Sequence, residues 1–131
     1  MQRWVLAMAI AVAALSLGAP ATARPGPGSA ARSQPAPDPA LARLEARAAA
    51  LERKAATKPK DAGVRGRAAE VLYQAGHARM LSPKLAPREK YAGALKLLRR
   101  AVALNPGHKA AQSDIDLIES IYRQMGRPVP R

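Results

Sequence analysis

The sequence predicts an all-α protein, and three observations carry that prediction. Ala, the best helix former, is the largest contributor to an apolar fraction of 48%, while 12 Pro and 9 Gly, the worst helix formers, punctuate the chain. Between these breaks apolar residues recur at steps of three and four, the period of a helix with one buried face. Aromatic residues make up only 3% of the chain, namely Trp4, Tyr73, Tyr91 and Tyr122, so the core is thin and no strand is expected. A length of 131 residues sets one domain as the ceiling.

Residues 1–23 have the three parts of a secretory signal peptide. Arg3 supplies the positive start, an apolar run extends from Trp4 to Leu17, and Ala21-Thr22-Ala23 forms a small-residue cleavage site. The apolar run is shorter than the roughly 20 residues that cross a bilayer core, and Gly18 and Pro20 break it. Cleavage after Ala23 and a periplasmic or secreted product are therefore expected; an uncleaved N-terminal membrane anchor is the alternative. Residues 24–38 are rich in Pro and Ala and contain no aliphatic side chain larger than Ala, so they read as a disordered, semi-flexible tether.

The helices follow in order. Asp38 as cap and Pro39 at the first helical position open an amphipathic helix over 39–57, with Leu41, Leu44, Ala48, Leu51 and Ala55 on one stripe, closed by Lys58-Pro59. Asp61 caps a second helix over 62–81, whose apolar face is Val64, Ala68, Val71, Leu72 and Ala75. Gly63, Gly66 and Gly76 weaken it by roughly 1 kcal/mol each relative to Ala. Pro87 opens a third, to about Leu104, which buries Tyr91, Ala94, Leu95, Leu98, Ala101 and Val102; Asn105-Pro106-Gly107 stops it. The fourth, from about Lys109 to Met125, uses Ile115, Ile118, Ile121, Tyr122 and Met125, and Gly126 with Pro128 closes it.

Reactive chemistry finds little support. Cysteine is absent, which excludes disulfides, thiolate metal sites, a Cys nucleophile and lipidation at Cys. His77 follows Gly76 and His108 follows Pro106-Gly107, so both are expected at helix ends, capping or solvated, with no metal role. Asp114, Asp116 and Glu119 sit together on the fourth helix, where a solvated face and balance of the helix dipole account for them. Neither a catalytic residue nor a cofactor is expected.

A repeat organises these helices. Pro59 and Pro106 each close a helix just before the next begins, and the third helix carries Ala94-x3-Leu98, then Ala101, then Asn105-Pro106. The stretch Tyr91–Pro106 resembles the second helix of a tetratricopeptide repeat, a helix-turn-helix unit of about 34 residues whose pattern ends A-x3-F…P. The resemblance implies that Ala62–Gly76 is the first helix of that repeat, with Gly76 at the turn and an insertion from His77 to Lys90. Arg65 and Ala69 stand where the family has an aromatic residue and Gly, and Leu72 or Tyr73 stands for its Tyr. Ile115–Gly126 resembles the opening helix of a following repeat, with Tyr122 and Gly126 at the aromatic and turn positions, and would act as a cap. The carboxylate clamp of some family members has no counterpart, because Gly66 and Glu70 occupy two of its places.

The resemblance implies a non-enzymatic scaffold, here exported, that binds a protein or peptide partner in the cell envelope. Arg65, Tyr73 and His77 on the second helix are the groove candidates, with Lys84 and Arg88 of the insertion beside them. The formal net charge of +13 suggests an alternative, a polyanion- or membrane-surface binder; specific nucleic-acid recognition is not expected. So short an array also leads us to expect self-association through an exposed apolar helix face.

Overall fold

A computed structural model describes residues 38–131, an all-α array of four helices in which no strand occurs among the described residues. The expected signal peptide and residues 24–37 of the tether lie outside the described residues. Helix α1 spans Pro39–Thr57, α2 Ala62–Leu81, α3 Pro87–Leu104 and α4 Lys109–Gln124.

Each start has a local cause. Asp38 is extended and its Oδ1 accepts from the Ala40 N–H at 3.1 Å, with Pro39 fixing the first helical φ. The Asp61 carboxylate accepts from the Val64 N–H at 3.0 Å. Ala86 offers α3 no side-chain cap, and Pro87 alone sets its entry. His108 caps α4, its Nδ1 accepting from the Ala111 N–H at 3.2 Å. Helix α4 ends in a Schellman turn: Arg127 N–H reaches Tyr122 C=O, Gly126 N–H reaches Arg123 C=O, and Gly126 takes φ +63°.

Several expectations need correction. Gly76 is not at a turn, because α2 continues without a break to Leu81 and the connection to α3 is only Ser82–Ala86. Gly76 is small for a different reason: a Cβ there would stand 2.8 Å from Leu98 Cγ, so it marks the closest approach of α2 to α3. His77 is likewise an interior residue of α2. In α4, Met125 is half exposed beyond the last turn and Ile121 is only partly buried, so the buried stripe is Ala111, Ile115, Ile118 and Tyr122. In α2 and α3, Val64, Tyr91 and Val102 are partly exposed.

Helix α2 is the hub: it packs on α3 and α1 and touches α4. Leu72, Leu95, Leu98 and Ile118 are the largest fully buried side chains, and Ala68, Ala69, Ala75, Ala94 and Ala101 are completely buried between them, allowing close backbone approach. Helices α1 and α4 do not pack on each other, so the four form an open array rather than a closed bundle. Helix α1 reaches α3 through an ion pair, with Arg100 donating from Nε to Glu52 at 2.7 Å. Together α2 and α3, at 20 and 18 residues, exceed the repeat unit of about 34 residues that they resemble.

Candidate functional site

Where α2 meets α4, four polar side chains gather round Tyr73. The Tyr73 ring lies 4.8 Å from the ring of His108 and 5.6 Å from that of His77, centroid to centroid. His77 Nδ1 is 2.7 Å from Asp114 Oδ2, and His108 Nε2 is 3.1 Å from Glu70 Oε2. The His108 tautomer follows from its cap: Nδ1 accepts from Ala111 N–H, so Nε2 carries the proton and donates it to Glu70. Burial, then the nearby carboxylates of Asp114 and Glu70, raise the pKa of the Tyr73 phenol above 10. The seam thus offers a stacking ring and hydrogen-bonding edges held in place by carboxylates. Among the described residues no group of three or more His, Asp or Glu side chains converges as a metal ion would need.

The five partner-binding candidates separate. Tyr73 and His77 belong to this seam. Arg65 is exposed near the start of α2 and makes no ion pair among the described residues. The Lys84 ammonium lies 3.9 Å from the Asp38 carboxylate, beside the start of α1. Arg88 lines a different hollow, of about 390 Å³, with Tyr122, Arg127, Pro128 and Pro130. The insertion residues therefore do not flank Tyr73 and His77 as one site. Nor are the acids of α4 merely solvated: its first turn contains none, Asp114 is bound to His77, and Glu119 pairs with Arg99 at 3.1 Å.

The residues assigned to the repeat motif fall mainly on helix contacts. Ala94, Leu98 and Ala101 are fully buried and Tyr122 nearly so, Tyr91 is half-buried with Lys90 Nζ 5.2 Å from its ring centroid, and Pro106 is exposed just past α3.

A second feature escaped the sequence reading. A groove of about 780 Å³ runs between α1 and α2, lined by Arg47, Leu51 and Lys54 on one side and Gly66, Arg67 and Val71 on the other. Its signal was the spacing: Arg47, Leu51 and Lys54 step by four and three, so cations and an apolar residue share one stripe. Glu70 lines this groove and also pairs with His108, so groove and seam meet on one side of α2. Compared with family models, with curated proteins and with solved structures, the chain matches none of them.

Proposed function

We propose that this chain is an exported, non-enzymatic scaffold of the tetratricopeptide-repeat kind, which holds a protein or peptide partner in the cell envelope on the side where α2 and α4 meet. The observation that carries this reading is the openness of the array. Because α4 does not close back on α1, the α2–α4 seam stays accessible and presents Tyr73 and half-exposed His77, with Leu117 exposed on α4 three residues after the Asp114 that holds His77. A ring with a polar tip, a hydrogen-bonding imidazole and a bare aliphatic side chain are the materials of a protein-binding surface. Export rests on residues 1–23, and N-terminal sequencing of the mature protein should begin at Arg24.

The test is capture of envelope proteins by the mature chain, compared with His77→Ala and Leu117→Asp variants. A stoichiometric protein partner that survives moderate salt and is lost in both variants is the expected result. Capture that vanishes with salt and is indifferent to both substitutions would replace this reading with that of a polyanion or membrane-surface binder.

A further inference from the structure

The groove between α1 and α2 has matched walls. Arg47, Ala50, Leu51 and Lys54 on α1, and Arg67, Glu70, Val71 and Gln74 on α2, follow the same spacing of three, one and three residues, so each wall is a single helical stripe. Leu51 and Val71 form an apolar floor continuous with the core, and above Gly66 there is open space, since a Cβ there would meet nothing within 4 Å. The side of α1 that faces the groove is opposite the side it uses for internal ion pairing. Glu45 and Glu52, which bind Arg79 and Arg100, stand two residues before Arg47 and Lys54, about 200° round the helix.

Charge says what fits. Arg47, Lys54 and Arg67 are exposed and make no ion pair among the described residues. The one carboxylate in the groove, Glu70, is already engaged by Gln74 at 2.9 Å and by His108. A second copy of the chain is a poor occupant. Of its nine acids, Asp38 and Asp61 cap helices, Glu45, Glu52 and Glu119 are in ion pairs with arginines, and Glu70 and Asp114 are hydrogen-bonded to His108 and His77. An extended strand is poor too, because mid-helix walls have no free backbone groups to pair with its own.

We propose that this groove seats an amphipathic helix of a partner protein, apolar along one stripe and flanked by Asp and Glu, which lies against α1 and α2 as one more helix of the array. Its apolar ridge packs between the two stripes, and its acids meet Arg47, Lys54 and Arg67. The proposal rests on the scaffold reading and specifies a second surface for it.

The probe is a labelled model peptide of about 18 residues, long enough to form helix alone, with Leu at helical spacing and Glu on the flanks; its counterpart has Lys in place of Glu. Binding to the full mature chain is read by fluorescence anisotropy. The Glu peptide should bind and the Lys peptide should not. The triple variant R47E/K54E/R67E should weaken the Glu peptide by about tenfold or more and admit the Lys peptide, while K96E/K109E/R127E, reversed elsewhere, should leave the preference intact. Gly66→Leu, which fills the groove without altering charge, should abolish binding, and circular dichroism checks that each variant is folded. No binding of either peptide, equal loss in both triple variants, or undiminished binding to Gly66→Leu would overturn the proposal. Retention of an envelope partner through the α2–α4 seam would then leave the scaffold reading standing.

Discussion

Gly66 and Gly76 stand on the same helix, yet a methyl group at each should act in opposite directions. At Gly76 an added Cβ lies 2.8 Å from Leu98 Cγ and 3.3 Å from Ala94 O, so the helices must separate. Overpacking costs about 1–3 kcal/mol and outweighs the gain in helix propensity of about 1 kcal/mol, so Gly76→Ala is expected to lose about 1 kcal/mol in urea unfolding. Gly66→Ala meets nothing and should gain about 0.5–1 kcal/mol. His108→Ala should cost about 1 kcal/mol by removing the α4 cap, and His108→Asn should restore most of it. Tyr73 gives a pH dependence whose sign is fixed. Its raised pKa means that the unfolded chain ionises first, so this group's contribution to stability is complete below pH 10 and is lost as pH rises through the higher folded value. Tyr73→Phe should remove that alkaline loss together with the late-titrating tyrosinate absorbance. The caps at Asp38 and Asp61 were legible because a cap is local chemistry. The pairing of His77 with Asp114 was not, since the two are 37 residues apart and only the crossing of α2 over α4 joins them.

At the scale of the element, Pro39, Asp61, Pro87 and Asn105-Pro106 made the limits of the first three helices readable, because each either starts a helix or cannot continue one. Periodicity was less informative where a helix has neighbours on several sides. Helix α2 buries Ala68, Ala69, Val71, Leu72, Ala75, Gly76 and Met80, about half of its circumference, so a single stripe could not represent it, and the turn assigned to Gly76 came from the repeat resemblance rather than from periodicity. The groove was missed for a related reason: only the packing of α2 on α1 places Arg67 opposite Arg47 and Lys54. The burial pattern also ranks the helices. Helix α1 buries only Leu41, Ala48 and Ala55 and, among the described helices, packs on α2 alone, with part-exposed ion pairs from Glu45, Glu52 and its cap Asp38 as further ties. Such pairs contribute about 0–1 kcal/mol each. Native-state hydrogen exchange is therefore expected to show α1 amides opening well before those in the α2–α3 core, and uniform protection across α1, α2 and α3 would contradict this. Leu98→Ala, at the centre of that core, should cost about 2–5 kcal/mol and destabilise the whole array.

The charge of the whole molecule sets up a competition between its fold and its field. A net charge of +13 destabilises a folded chain through self-repulsion, whereas the ion pairs Arg79–Glu45, Arg99–Glu119 and Arg100–Glu52 favour it. Salt weakens both effects, so the response to salt shows which is larger. The pairs are partly exposed and few, because the chain has nine acids against 22 Lys and Arg, and seven of those acids are already committed to helix caps, ion pairs or histidine hydrogen bonds. The unpaired cations, Arg47, Lys54 and Arg67 among them, face solvent and repel one another over distances that the Debye length, about 30 Å at 0.01 M and about 8 Å at 0.15 M, brings under control. Repulsion should therefore dominate, and the thermal midpoint followed by circular dichroism should rise between those two salt concentrations. An acidic helix in the groove would relieve the part of this repulsion that arises among Arg47, Lys54 and Arg67. Its stabilising effect should be largest at low salt and shrink as salt is added, and a peptide-induced shift in midpoint that does not depend on salt would mean that the apolar floor at Leu51 and Val71, rather than the cationic rim, holds it.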